Sequence, residues 1–498
     1  MRKNSCYRIV AMSLLLGSAT LNAQTINKTA DLIEGSTGIT TFKSGDQLYF
    51  ASKDNDKAVK LVALSSSGAK KWEQSMEGYL QHAGCLGGKV LVVVSTDFTL
   101  FTRENSTYKA YLLDSKTGKI ENQKLLFNGN DEYYTELDVV VGKDAKTFSL
   151  IIRETGVKRN VKVAPGALGA MVVAKKMANE AKEVRRFTTM SFNSSLEVIE
   201  ALSPVVPAGE FIGAVKTLNN DLYIAVCDGK TGVSITRFEA GKEKPSKTVT
   251  DSYDYVGRGL LGGGTLGEQL RLFSDTINNN VVYISGSFQE KDEFVCVFNK
   301  YEFNSGNHKK FKKSFTRDEF KAFEKGYTPV NSKDFKSLEL GSTKDVELLQ
   351  ILESDNGYLL LLSDVHKQQL GAAPPTFKAN GLLVYSMDKD LNIKSVTALP
   401  RKVNNRSTPE IQAHHKNGTW YVFASHEDKG RMLQAKVSSN SGKVEEIKLI
   451  EPPKVAGDSV GNISSMLFTD QGYFLPVLDM KTAFGKIKFD VDLYQISW

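Results

Sequence analysis

Short apolar runs, each entered through Gly, Asn or Asp, recur along the whole chain. Gly45-Asp46 leads into Gln47-Leu48-Tyr49-Phe50, and Gly87-Gly88 leads into Lys89-Val90-Leu91-Val92. Later copies open at Lys143, Asn219, Asn278, Asp355, Lys416 and Asp470. From Tyr49 to Tyr473 the copies return about every 60 residues. Turn residues before a β-branched or aromatic run mark a hairpin. Hairpins repeating at a loose period mark a propeller, a solenoid or an array.

The runs group into eight units, at 38–76, 79–126, 135–202, 210–250, 268–315, 345–399, 410–450 and 462–498. The fourth shows the layout. Glu210 to Thr217 reads as a strand, Asn219-Asn220-Asp221 as a turn, and Leu222 to Cys227 as a second strand. A turn over Asp228-Gly229-Lys230-Thr231-Gly232 leads to a third strand, Val233 to Phe238, and a weaker fourth covers Ser246 to Thr250. Four antiparallel strands per unit is the propeller blade. Second strands such as Val90 to Val94 and Tyr358 to Leu362 are almost continuously apolar, as a strand covered on both faces must be. The expected fold is therefore all-β, a single β-propeller with eight blades favoured over seven. The last unit is short, so Ile26 to Ile33 is expected to supply its outer strand and remove an exposed edge.

Two stretches break the rhythm and read as helical insertions. In Thr155 to Phe187, Leu168, Met171, Val172 and Lys175 share one helical face; in Asp318 to Phe335, Phe320, Phe323 and Tyr327 have helical spacing.

Third strands end in turns such as Leu113-Asp114-Ser115-Lys116-Thr117-Gly118-Lys119. Weaker copies are Ala63-Leu64-Ser65-Ser66-Ser67-Gly68 with Lys71-Trp72, Cys227-Asp228-Gly229-Lys230-Thr231-Gly232, and Ser439-Asn440-Ser441-Gly442-Lys443. In such a turn Asp caps, Gly supplies positive φ, and the Trp packs between blades. These turns resemble those of pyrroloquinoline-quinone-type propellers, which include quinoprotein dehydrogenases and non-catalytic outer-membrane assembly factors. The resemblance covers turns in four units, and the dehydrogenases' adjacent-cysteine pair is missing. It implies the fold and not the cofactor, and no cofactor is expected.

The N-terminus reads as a secretory signal. Arg2, Lys3 and Arg8 precede a short apolar stretch, Ile9 to Gly17, and cleavage is expected after Ala23. The division is then 1–23 signal peptide and 24–498 propeller domain, with export to the periplasm or beyond. Losing three basic residues lowers the formal net charge from +7 to +4. That excess is too small for the dense cationic footprint of a nucleic-acid binder. Lys309-Lys310-Phe311-Lys312-Lys313 reads as a solvated edge strand. Cys85, Cys227 and Cys296 sit in or beside apolar runs with no CxxC spacing, and read as small buried hydrophobes. No later stretch has the length of a transmembrane helix.

Candidate chemistry is sparse. Gly257-Arg258-Gly259-Leu260-Leu261-Gly262 matches a dinucleotide fingerprint, but Gly263, Gly264 and Gly267 would spoil the helix it must open. Asp388-Lys389-Asp390-Leu391-Asn392 begins like a calcium loop but has Ile393 and Leu399 where Gly and Glu are required. His414-His415 lie side by side on a strand and point to opposite faces, so they do not share a metal, and one is expected to face the channel. No metal or catalytic set is assigned.

Topology points to a surface instead. The loops entering the innermost strands open at one mouth of a propeller channel. They carry Tyr79, Tyr133, Tyr134, Glu210, Lys344, Asp345, Arg406, Glu410, Asp458 and Asn462. Tyrosines mixed with both charge signs suit a protein loop, a polysaccharide or another polar ligand. The expected function is a non-catalytic interaction or assembly module. A carbohydrate-active or other hydrolytic enzyme at the channel mouth is one alternative. The other is an outer-membrane β-barrel, since Tyr494, Ile496 and Trp498 alternate at the C-terminus.

Overall fold

The computed structural model describes residues 26–54, 58–95, 107–129, 133–142, 145–157, 183–217, 219–228, 231–256, 265–275, 278–291, 293–329, 335–368, 376–405, 410–426, 431–451, 459–483 and 486–498. The strands form eight antiparallel blades in a ring, an eight-bladed β-propeller. Blade 1 takes the second half of Ile26–Ser44, then Gln47–Asp54, Ala58–Ser65 and Lys70–Glu77. Blade 2 is Tyr79–Leu86, Lys89–Ser95, Thr107–Leu113 and Ile120–Asn128, and blade 3 is Tyr133–Val141, Thr147–Val157, Glu183–Asn193 and Val198–Leu202. Blade 4 is Gly209–Lys216, Leu222–Asp228, Gly232–Phe238 and Lys247–Ser252, and blade 5 is Leu270–Ser274, Val281–Glu290, Glu293–Glu302 and His308–Ser314. Blade 6 is Val346–Ser354, Gly357–Asp364, Thr376–Met387 and Ile393–Asn405, and blade 7 is Ile411–Lys416, Thr419–Ser425, Met432–Ser438 and Val444–Ile450. Blade 8 has a broken first strand, Ser459–Gly461 and Leu467–Phe468, then Gly472–Ala483 and Lys486–Ser497.

The first half of Ile26–Ser44 closes blade 8. Ile26 pairs with Ile496 and Lys28 with Tyr494, and the strand then crosses to blade 1, where Thr41 pairs with Phe50. The expected N-terminal closure is thus present. The outer-membrane barrel is overturned by the same pairing: the C-terminal strand is the third strand of a blade, and the blades do not join into one closed sheet.

Burial explains which strand goes where. Val90 to Val94 and Leu360 to Leu362 have no exposed surface, because each second strand is sandwiched between neighbouring blades. The outer strand Lys70–Glu77 alternates instead, with Trp72 and Met76 inward and Lys71, Glu73, Ser75 and Glu77 outward. At the hairpins, Gly87 and Gly88 (φ 57° and 80°) and Asn417 and Gly418 (φ 50° and 75°) adopt the positive φ that a two-residue turn needs.

One helical insertion comes out smaller than expected. A helix spans Arg317–Gly326, and Thr316 and Glu319 form its capping box. It stops well before Phe335, and Phe320 anchors it in the core at 1% exposure. The other stretch has strand at its two ends, over 155–157 and 183–187; residues 158–182 lie outside the described residues. A one-turn helix, Leu266–Gln269, includes Gly267, a residue poorly suited to the longer helix that a dinucleotide fingerprint must open. A Cβ there would lie 2.6 Å from Cδ of Glu210, so that carboxyl would have to shift.

Candidate functional site

First strands of neighbouring blades adjoin one another, as between blades 1 and 2, 2 and 3, 4 and 5, and 6 and 7. Their entry ends, the exit ends of the second strands and the ends of the fourth strands lie on one face. On it the structure builds two adjacent polar clusters, one around Asp345 and Asp364 of blade 6 and one that links Arg401 of blade 6 to blades 7 and 8. Asp364 and Arg401 act on each other by charge, without a hydrogen bond.

The first cluster starts at Asp345, just before the first strand of blade 6. Its carboxylate lies 3.3 Å from His366 Nδ1, and its carbonyl accepts from Val365 N at 2.8 Å. Next comes Asp364, at the end of the apolar second strand and 6% exposed. Asn380 N donates to Asp364 Oδ1 at 2.8 Å. Burial pushes this carboxyl up to about 7; Asp345 adds to the rise, and that hydrogen bond and the Arg401 charge oppose it.

Arg401, within the fourth strand where its pairing is irregular between Leu399 and Lys402, crosses the seam to blade 7 and is 3% exposed. Its Nε donates to Ser425 O at 3.0 Å and its Nη2 to Ser425 Oγ at 3.2 Å. Its Nη1 is buried with no hydrogen-bond partner, and burial lowers its pKa to about 10. Beside it, Lys402 N donates to His426 Nδ1 at 3.3 Å.

Ser425 and Glu410 hold one another through the backbone, Ser425 N to Glu410 O at 3.0 Å, and Glu410 N donates to Ser425 Oγ at 3.1 Å. The Glu410 carboxyl reaches blade 8, where Ser464 N donates to its Oε2 at 3.1 Å. Ser464 Oγ lies 2.8 Å from Asn462 Oδ1 and 3.3 Å from Glu410 Oε1. A hydroxyl has one proton, so it satisfies one of these two acceptors. Burial raises the Glu410 pKa, and a protonated Glu410 would supply the second donor. Asn462 also caps the 3₁₀ turn Ile463–Ser465, accepting from Ser465 N at 3.1 Å.

Glu410 and Asn462 therefore meet through Ser464, Asp345 lies in the separate cluster with His366, and Lys344 stands exposed beside Asp345. The other expected positions are placed separately. Tyr79 begins the first strand of blade 2, opposite Ser95. Tyr133 and Tyr134 begin that of blade 3, opposite Val157 and Thr155, and their side chains lie outside the described residues. Glu210, on blade 4, accepts from Thr265 Oγ1. Arg406 and Asp458 lie outside the described residues.

Sequence reasoning missed Asp364, Arg401, Ser425 and Ser464. The available signal was a charge ending an apolar run, Asp364 after Leu359 to Ser363 and Arg401 after Ala398-Leu399-Pro400. It also missed Arg153 on blade 3, whose Nη1 and Nη2 lie 2.5 Å from Asp138 and 3.0 Å from Glu136, with its guanidinium 3.9 Å over Phe211. Burial raises the Asp138 pKa even so.

Other candidates resolve into structure. His414 stacks 4.5 Å from Phe468 of blade 8, and His415 packs 4.6 Å from Trp420, so His414 fills a seam instead of facing the channel alone. Burial, with Lys416 and His415, lowers the His414 pKa. Asp388 Oδ1 accepts from Asp390 N at 2.8 Å and Asn392 N at 2.9 Å, the hydrogen bonding of a plain turn. The lysines of the 309–313 run face carboxylates, Lys309 toward Asp390, Lys310 toward Asp251, Lys312 toward Glu290 and Lys313 toward Glu319. No disulfide joins Cys85, Cys227 and Cys296; the last two are buried and Cys85 is half-buried. Among the described residues no group of His, Cys, Asp and Glu is placed to hold a metal ion, and no helix is long and apolar enough to cross a membrane.

No protein-family model matches the chain. A curated protein of Penicillium rubens, "FAD-linked oxidoreductase sorD", is 23% identical over 301 residues, which is 56% of this chain. The chain spans 59% of the length of that relative. Among solved structures, BamB from Moraxella catarrhalis is 9% identical with a TM-score of 0.41, over 95% of this chain and 100% of that one. The WD40 domain of SCAP from fission yeast is 10% identical with a TM-score of 0.43, over 95% and 98% of the two chains. The assignment of eight blades rests on the strand pairing itself.

Proposed function

We propose that the chain is exported after loss of residues 1–23, and that residues 24–498 act as a non-catalytic propeller. It binds a polar ligand or a protein loop at the mouth where the first strands enter. The observation that carries this reading is the hydrogen-bonded path from Arg401 through Ser425, Glu410 and Ser464 to Asn462, with the Asp345 and Asp364 cluster beside it. The path crosses three blades and surfaces at exposed Ser464, while exposed Lys344 and His366 flank the Asp345 cluster. Side chains locked by backbone and neighbours give a polar surface that loses little entropy on binding. In this reading the buried acids are structural: Glu410 is bonded to Ser464, and Asp364 to Asn380 N.

A photo-crosslinking residue at Lys344 or Ser464, compared with one at Lys70 on the outer rim, tests the mouth in the producing cell. Crosslinks to a defined partner or glycan from the mouth positions only are expected. Equal labelling from Lys70 would remove the mouth from consideration. For export, mass spectrometry is expected to find Gln24 as the first residue; an intact Met1 in the cytosol would refute it.

One observation favours a hydrolytic enzyme as a second reading. Asp364, held up at about 7, and Glu410, raised by burial, are two carboxyls on one face whose acid forms are favoured by their surroundings. Under that reading, Asp364→Asn and Glu410→Gln would each abolish turnover of an aryl glycoside panel by the whole protein. Absence of turnover in the unsubstituted protein would dismiss it for that class.

A further inference from the structure

On the outer rim, away from the channel mouth, the helix Arg317–Gly326 roofs a cavity of about 210 Å³. Ala322, Phe323, Gly326 and Tyr327 form the roof, and Val396, Ala398 and Leu399 of blade 6 with Val444 and Ile447 of blade 7 form the floor. The remaining lining, Thr328, Leu338 and Thr397, contains no charged group. Two of the three lining hydroxyls are engaged: Tyr327 OH donates to Phe335 O at 3.1 Å, and Thr397 Oγ1 to Gly442 O at 3.4 Å. The walls are fixed, because the capping box holds the start of the helix and buried Phe320 pins its middle.

An enclosed apolar cavity of about 150 Å³ takes up benzene, and this space, though open to solvent on one side, offers an apolar roof and floor. A space of about 210 Å³ has room for one more fused ring. The strand Ile393–Asn405 pairs on one side only, with Thr376–Met387, so the floor runs along an open strand edge. Such an edge leaves alternate backbone N–H and C=O groups for a single polar atom on the guest. A charged guest would find no partner and pay for desolvation.

We propose that this cavity is a binding site for a neutral aromatic molecule of about the size of indole. It is separate from the channel mouth and independent of what binds there. The guest packs its rings between Phe323 and the floor and turns its one polar group to the strand edge or to Thr328.

The test is thermal unfolding and calorimetry of the whole mature protein with indole, phenol and indole-3-acetate. Indole is expected to saturate one site and to raise the Tm by about 1–3 °C per tenfold concentration above its Kd. Phenol is expected to bind more weakly, and the charged acetate at least about tenfold more weakly than indole. Ala322 is exposed on the helix, so Ala322→Phe closes the mouth without disturbing the core. It is expected to abolish the indole response while keeping its own Tm. Gly326 has open space around a Cβ, and Gly326→Leu serves as a second, independent block. No shift up to millimolar indole, an equal response to indole-3-acetate, or an undiminished response in both folded variants would each overturn the proposal.

Discussion

Trp72 of blade 1 lies against Gly118 of blade 2 so closely that a Cβ on Gly118 would sit 2.5 Å from the Trp72 ring. The same turn receives the indole N–H, Trp72 Nε1 to Ser115 O at 2.9 Å, and Asp114 caps it by accepting from Thr117 N at 2.8 Å. Gly118 has φ 72°, so the glycine serves both the turn and the seam. Gly118→Ala is expected to cost about 2–4 kcal/mol, from positive φ and overpacking together. With Trp72→Ala added, the overpacking part disappears, and the double variant is expected to be clearly less destabilised than the sum. Denaturant midpoints of the four proteins decide it; strict additivity would separate the two residues.

Asp364 makes stability depend on pH in a set direction. Its carboxyl is held up at about 7 when folded, against an ordinary value of 3.8. Below about pH 4 it is protonated in both states. Between about 4 and 7 only the unfolded chain releases the proton, so stability falls as pH rises, and it levels off above 7. Arg401, Asp345 and His366 are the charged or titratable groups beside it. Asp364→Asn keeps an acceptor for Asn380 N and removes the ionisation. It is expected to be more stable than the parent at pH 8, by at most of the order of 4 kcal/mol. The gap is expected to narrow toward pH 4. A gap independent of pH would mean that Asp364 is not held in its acid form.

The eight blades were legible because their signals are local. Turn residues at Gly87-Gly88 and Asn417-Gly418 and the apolar second strands are written in consecutive positions. The closure by Ile26–Ser44 followed from a missing outer strand in the last unit. The polar clusters were half legible. Asp345, Glu410 and Asn462 lie at strand entries, which topology locates. Arg401 and Ser425 belong to different blades and meet only across a seam, and no local pattern encodes that meeting. Gly472 shows the limit of turn rules. The sequence suits positive φ there, yet Gly472 is absent from the positive-φ positions, and its real constraint is the backbone of Ile496 and Ser497 pressed against it.

Trp420 opens the second strand of blade 7 and is 5% exposed, packed in the seam with Leu361, Val384 and Leu399 of blade 6. Trp420→Ala is expected to cost about 3–5 kcal/mol, read as a drop in the denaturant midpoint. The network on the opposite end of the seam is expected to keep any ligand affinity once the protein is folded. Unchanged stability with lost binding would make Trp420 a recognition residue instead of a packing one.

The ring depends on its two ends together. Residues 26–36 form the fourth strand of blade 8, paired with Lys486–Ser497 from Ile496 back to Phe489 through three irregularities, and Lys28 Nζ reaches Asp492 at 2.9 Å. The C-terminal strand also carries Val491, Leu493, Tyr494 and Ile496, all buried. Removing 25–33 exposes the edge of that strand and frees the chain entering blade 1. Removing 490–498 takes away the strand it pairs with, together with those apolar side chains. Each deletion is expected to destabilise the protein, the C-terminal one by more because its side chains fill the seams with blades 1 and 7. Once either is gone the other has little left to disrupt, so the double deletion is expected to fall well short of additive. Denaturant midpoints of the three truncations measure this. A midpoint unmoved by the N-terminal deletion would mean that the pairing with Lys486–Ser497 does not hold the ring shut.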